Sequence, residues 1–345
     1  MMKYLGYSLV GLATLIVIGV LSLWASARMS LDDSYAHTQA TAKLELLSAD
    51  SPAGLVRVAT SRGEFRARVA GFQQNTDQPL VILLHGFPAT SAMWIDLIGP
   101  LADAGYRVLA FDQRGYSPGV RPEPISDYAV PEMVADVFAV AAAVGDERFH
   151  LVGHDWGAGV GWATVLADQS RIISWTALSI AHPAAFQEAL ESDPDQQSRS
   201  GYFALFQMPM VPETLFSFSD FALLRGAYTG MSAEKIEDYI NVLSEPGALS
   251  SALNWYRAMG EVALLGDAPP TMDVFVPTLF VWGNQDAAVG RRGTELMADY
   301  MQGPYAMIEL DAGHWLLSEQ PQRNVAAIIG HIQSQYQKSD PLTPE

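Results

Sequence analysis

Six short apolar runs constrain the fold of this chain more than any other feature: PLVILLH (79–85), YRVLAFD (106–112), FHLVGH (149–154), IISWTALSI (172–180), TLFVWG (278–283) and AMIEL (306–310). Runs apolar at consecutive rather than alternate positions belong to strands covered on both faces. Between them lie amphipathic stretches near 91–104, 130–144, 158–169, 291–301 and 321–337, so strand and helix alternate. That rhythm predicts an α/β fold with a doubly wound, mostly parallel sheet, whose reactive loops gather at the carboxyl edge. Ahead of it, alternation through 55–58 and 65–69, with Arg62-Gly63 as the turn, predicts an antiparallel hairpin.

The rhythm lapses from 183 to 270, where Phe, Met, Trp and Tyr fill helical stretches punctuated by Pro194, Pro209, Pro212 and Pro246. A helical cap inserted between two halves of the core, 54–182 and 271–338, accounts for this, leaving a tail at 339–345. Residues 28–53 read as a connector without chemistry. The first 27 residues stand apart, because Tyr4 to Ala25 holds no charged residue. About 20 apolar residues in a helix span a bilayer, so a transmembrane anchor is expected, with the catalytic part outside the cytoplasm. The small residues Ala25-Ser26-Ala27 leave open cleavage near Ala27 and secretion.

With 38 Asp and Glu against 20 Lys and Arg, the formal net charge is −18, and no basic stripe offsets it, so nucleic acid is not an expected partner. The chain has no cysteine, which excludes disulfides, thiolate zinc sites and a cysteine nucleophile. No phosphate-binding or dinucleotide fingerprint or clustered metal-ligand spacing is present, so neither cofactor nor metal is expected.

Within FHLVGHDWGAGVGWA, a buried strand runs into Gly153-His154-Asp155-Trp156-Gly157 and then a small-residue helix. Glycines two before and two after a central residue suit a tight strand-to-helix turn that lifts that residue out of the sheet. Here it is Asp155. His85-Gly86-Phe87-Pro88 follows the first parallel strand, where the backbone N–H groups of Phe87 and Trp156 would converge on one oxygen. Asp286 follows the strand TLFVWG, and His314 follows AMIEL. Singly, each has a plain structural reading: a turn aspartate, a helix cap, a core histidine. Together, in the order nucleophile, acid, histidine and all at strand ends, they point to a catalytic set.

From roughly 55 to 335 the chain resembles the α/β-hydrolases, specifically the epoxide hydrolase and haloalkane dehalogenase branch with an aspartate nucleophile. The resemblance rests on HGFP at 85–88, DQRGYS at 112–117, GHDWG at 153–157, LNWYRA at 253–258 and GHW at 313–315. It implies that two cap tyrosines assist epoxide opening. Tyr256 stands on one matching position, whereas Leu205 occupies the other; Tyr202, three residues earlier and on a similar helical face, is the candidate replacement. Halide release calls instead for N–H donors such as the Trp156 indole. Phe87 occupies the place of the asparagine that commonly provides a second donor, and Trp255 need not point inwards.

A carboxylate with a reference pKa of about 3.9 is ionised at neutral pH and needs no base to attack an electrophilic sp3 carbon. His314, oriented by Asp286, would then activate water against the resulting ester. The expected substrate is a small apolar epoxide, with a haloalkane as the alternative. A catalytically silent, membrane-tethered binding protein is the competing class, and the complete Asp155, Asp286 and His314 set favours an enzyme. Bland readings go to Arg114 as a loop tie, His154 as support for the turn, His182-Pro183 as the exit into the cap, His150 as a surface residue, and the Met and Phe residues of 203–218 as packed helix core.

Overall fold

Leu80–Leu84 is buried at all five positions and forms β3, as its unbroken apolar run requires. A computed structural model of the chain describes residues 37–73, 79–259 and 271–339. The other strands are β1 (Gly54–Thr60), β2 (Gly63–Ala70), β4 (Arg107–Phe111), β5 (Phe149–His154), β6 (Ile172–Leu178), β7 (Thr278–Gly283) and β8 (Tyr305–Leu310). They form one sheet in the order β1-β2-β4-β3-β5-β6-β7-β8. The hairpin β1–β2 is antiparallel and joins β4 antiparallel, and every pairing from β4 to β8 is parallel. Strand order reverses around β3, so the loops after β3 and β5 leave the sheet side by side, with Leu84 paired to Gly153.

Helices Val130–Ala143 and Trp156–Ala167 pack together, as do Ile95–Asp103 and Pro321–Ser339, covering the sheet from both sides. The stretch read as one helix near 291–301 is shorter, Arg291–Glu295 followed by a 3-10 turn at Met297–Tyr300. His150 is not at the surface. It sits fully buried in central strand β5, its Nδ1 2.8 Å from Ser174 Oγ, and burial lowers its pKa to about 3. A central strand has no solvent side, and its apolar neighbours in FHLVGH carried that information.

Among the described residues six helices lie between β6 and β7: Pro183–Ser192, Pro194–Arg199, Tyr202–Gln207, Val211–Ala227, Ala233–Ser244 and Ala248–Ala258. Pro194 and Pro212 start helices rather than break them, since proline in the first turn forfeits no intrahelical bond. The real break is at Ser219, Asp220 and Phe221, which all adopt positive φ. The 203–218 segment is only partly core. Phe216 is buried, while Met208, Met210 and Phe218 are exposed. The uncharged run 4–25, residues 28–36 and the end of the expected cap at 260–270 lie outside the described residues. Among those described, no helix is long and apolar enough to cross a membrane.

A buried ionic network ties these helices to the sheet. Arg66 of β2, with 3% side-chain exposure, bonds Asp112 and also Asp238 of helix Ala233–Ser244 at 2.5 Å. Asp238 accepts further bonds from Arg68 at 2.8 Å and from Thr90. Burial works against ionisation of Asp238, but the guanidinium groups of Arg66 and Arg68 outweigh it and hold its pKa below the usual carboxylate value. Such a group stabilises the fold at pH above its unfolded pKa, and that contribution is lost as pH falls towards its folded value. Removing one partner leaves Arg66 short of a counter-charge in a dry site, at a typical cost of about 3–5 kcal/mol. We expect Asp238→Asn to lower the unfolding free energy by about that amount in chemical denaturation at neutral pH. The difference from the parent should shrink in acid, and an unchanged midpoint would show that the network is not a latch.

Candidate active site

Asp155 sits between β5 and helix Trp156–Ala167 at φ 53°, ψ −125°, a conformation that L residues rarely adopt. Close backbone approach explains the flanking glycines. A Cβ on Gly153 would lie 2.3 Å from Gly157 O, and one on Gly157 would lie 2.1 Å from Leu84 O. The turn points the Asp155 carboxylate at the loop after β3, where the Phe87 N–H donates to its Oδ1 at 2.8 Å. The N-terminus of helix Trp156–Ala167 further favours negative charge there. The β3 loop is itself held from both sides. The Gln113 N–H donates to His85 Nε2 at 2.9 Å, and the hydroxyl of Tyr228, beyond β6, donates to Pro88 O at 2.7 Å.

Two further loops complete the set. The His314 Nε2 lies 3.5 Å from Asp155 Oδ2, and its Nδ1 lies 2.9 Å from Asp286 Oδ2. Asp286 Oδ1 accepts the amides of Ala288 (2.8 Å) and Val289 (3.1 Å), which fixes the carboxylate that orients the ring. Burial opposes charge on His314, yet Asp286 and Asp155 overcome it and raise the pKa well above the usual 6.5. The two carboxylates therefore favour the charged form of the resting imidazole. It stabilises the fold below pH 6.5, and that contribution is lost as pH rises through its raised folded pKa. His154 is held neutral, with a pKa lowered to about 4 mainly by burial, and its Nε2–H donates to His314 O at 2.8 Å. His154 thus reaches beyond the turn to the histidine loop.

Above the carboxylate, Tyr202 and Tyr256 face each other with ring centroids 6.2 Å apart. Burial, with Asp155 nearby, raises both phenol pKa values, so both hydroxyls remain donors. Tyr256 also stands edge-on to the Trp156 indole, with ring centroids 5.0 Å apart. Trp255 turns away and donates its indole N–H to Arg114 O at 2.8 Å, while Arg114 is tied to Asp136. The structure therefore brings Asp155, Asp286, His314, Phe87, Trp156, Tyr256 and Tyr202 to one place, and Leu205 is not among the residues lining the cavity.

That cavity, of about 180 Å³, is lined by Asp155, Trp156 and Tyr202 together with Phe186, Phe203 and Met259. Phe186 and Met259 belong to helical stretches whose apolar residues carry no signal distinguishing cavity wall from core. Among the described residues no group of three or more acidic or histidine side chains is placed to hold a metal ion.

Residues 79–206 match a family described as alpha/beta hydrolase fold. The chain is 32% identical over 270 residues to the AB hydrolase superfamily protein YfhM of Bacillus subtilis (strain 168), covering 76% of this chain and 91% of that protein. It is 32% identical over 288 residues to epoxide hydrolase 3 of Xenopus tropicalis, covering 80% of this chain and 76% of that one. The crystal structure of an epoxide hydrolase of Bacillus megaterium in complex with an inhibitor shares the fold. Its TM-score is 0.72 at 23% identity, over 80% of this chain and 99% of that chain.

The placement of His314 between two carboxylates generates a test. Asn at position 155 is neutral, as an ester there would be, so Asp155→Asn should lower the His314 pKa in an NMR titration of the imidazole. An unchanged titration would mean that Asp286 alone sets the charge of the ring.

Proposed function

The chain belongs to the α/β-hydrolase superfamily, in its epoxide hydrolase-like branch, and from that premise we propose that this hydrolase opens epoxides to vicinal diols through an ester on Asp155. Because Oδ1 is engaged by the Phe87 amide, Oδ2 is the attacking oxygen. It bonds an epoxide carbon while the ring C–O bond breaks, and the alkoxide takes a proton from the tyrosine pair. His314 then passes its proton to the phenolate, and in the second half the neutral imidazole takes a proton from water, whose oxygen bonds the ester carbonyl carbon. The oxyanion at Oδ1 is stabilised by the Phe87 amide together with that of Trp156. Collapse breaks the bond to the alkoxy oxygen, which takes the proton from His314, and the proton of the re-formed carboxylic acid returns to the imidazole. Alkylation also removes the Asp155 charge that keeps His314 protonated, so the base is released in the step that needs it.

The observation that carries this reading is the Tyr202 phenol lining a largely apolar cavity together with Asp155, with Tyr256 packed against it at a ring-centroid distance of 6.2 Å. An alkoxide needs such donors and a departing halide needs no proton. Of the N–H groups that halide release would use, that of Trp255 is engaged by Arg114 O. His314→Gln is expected to halt turnover after alkylation, so that intact mass spectrometry follows the adduct on Asp155. In that background, Tyr256→Phe should slow adduct formation from an epoxide by about a hundredfold, since losing one such donor typically costs about 2.7–4 kcal/mol. Tyr202→Phe should slow it as well. Adducts and halide release from haloalkanes, indifferent to both tyrosines, would assign the protein to dehalogenation. No adduct from either class would leave only the binding-protein reading.

We further propose that residues 4–25 anchor the chain in a membrane, with the catalytic body outside the cytoplasm. Full-length protein should then stay with membranes after an alkaline wash. A soluble form beginning at Arg28 would place a cleavage site at Ala25-Ser26-Ala27 instead.

A further inference from the structure

Six of the large apolar side chains exposed among the described residues crowd into one short stretch: Met208, Met210, Val211, Leu215, Phe218 and Leu223. Met210 is 76% and Phe218 71% exposed. Val211, Leu215 and Phe218 stand at i, i+4 and i+7 and share an outward face, while Pro212 and Phe216 are buried beneath them. The segment therefore has apolar residues on both faces, a pattern that requires a second apolar partner. It contains no Lys, Arg or His. Its two acids are already ion-paired, Glu213 with Arg257 at 2.8 Å and Asp220 with Arg225 at 3.1 Å.

The position of the N-terminal tether indicates what covers this face. His37, where the described chain begins, bonds Glu245 in the turn between helices Ala233–Ser244 and Ala248–Ala258. Ser250 and Arg257 of the second of these helices in turn bond Glu213 of the exposed segment. The chain thus emerges against a helix pair whose second member holds the helix that carries the apolar strip. Eleven residues lie between Ala25, the end of the uncharged run, and His37, and fully extended the connection reaches about 40 Å. A body tethered so closely on this side holds the strip near the bilayer that the run would enter.

We propose that the Met208–Leu223 face of the cap rests in the interface of a zwitterionic lipid bilayer and draws membrane-dissolved substrate from it. Insertion is apolar in character, because the strip has no cation to seek anionic headgroups and the chain carries a net charge of −18. Met208 directly follows helix Tyr202–Gln207, whose Tyr202 and Phe203 line the cavity, so the route from lipid to Asp155 runs along one short helix. The substrate part of this inference rests on the epoxide hydrolase reading; the docking part does not.

The cysteine-free sequence makes a direct test possible, since a single introduced thiol takes the only label. Full-length Phe218→Cys, labelled with an environment-sensitive fluorophore and reconstituted in phosphatidylcholine vesicles, should shift to the blue and be quenched by nitroxide-bearing lipids. The same label at Phe275→Cys, an apolar position 58% exposed beside the core, should stay in water and escape quenching. Equal, unquenched signals overturn the docking, as does a label at 218 that is shielded only when the protein dimerises. Neither readout needs turnover, so the docking stands or falls apart from the proposed activity. Phe218→Asp should then slow hydrolysis of a long-chain epoxide dissolved in the vesicles while leaving a short water-soluble epoxide unaffected. Equal slowing of both would overturn delivery from the membrane.

Discussion

Everything at the reactive end of this molecule depends on one backbone conformation that aspartate resists. Asp155 at φ 53°, ψ −125° carries strain of about 1–3 kcal/mol, a cost that persists only where the surroundings overdetermine it. Here β5 and helix Trp156–Ala167 meet so closely that neither Gly153 nor Gly157 has room for a Cβ. The reward is position. The carboxylate stands clear of the sheet with Oδ1 on the Phe87 amide and Oδ2 open to the cavity and to His314. Loops from β3, β7 and β8 are then disposed around a point that cannot drift.

The electrostatics of the site follow from the same fixed carboxylate. A buried imidazole between Asp155 and Asp286 is held charged, and buried phenols near Asp155 are held neutral. Each is thereby in the protonation state that the first half-reaction of the proposed mechanism uses: a cation beside the nucleophile and two donors above it. Esterifying Asp155 changes the balance on the histidine most, because its Nε2 faces the charge that disappears. Asp286, with its pKa kept low by His314 against the pull of burial, remains to orient the ring for the second half.

The core was legible because parallel strands covered on both faces must be apolar at successive positions; each of the six runs forms a strand at nearly its expected place, although β8, at the edge of the sheet, is buried only at Leu310. The turn around Asp155 was legible for a related reason, since only glycine satisfies the close approach at 153 and 157. His150 was misread because one polar letter in an apolar run was given more weight than the run. Leu205 showed that a motif position can be vacated, but only coordinates place Tyr202 against Tyr256, since helical spacing alone does not orient a six-residue helix over a distant carboxylate. The cavity wall was illegible for a deeper reason: Phe186 and Met259 look, as letters, like any packed residue, and lining is a property of the space between elements.

The cap shows how one inserted segment meets two solvents. Its inner surface presents the Tyr202 phenol to a small, largely apolar cavity, and its ionic seam through Asp238 fastens it to β2. Its outer surface exposes Met210 and Phe218 with no cation beside them in the strip. A cap evolved only to cover a site in water would gain nothing from that second face, since exposed apolar area promotes association. The face becomes economical if the substrate dissolves in lipid, because the apolar area that would be a liability in water then shortens the path from bilayer to nucleophile. Solvent and substrate would in that case be matched by one short stretch of sequence, from the Tyr202 hydroxyl at the cavity to Phe218 at the outer surface.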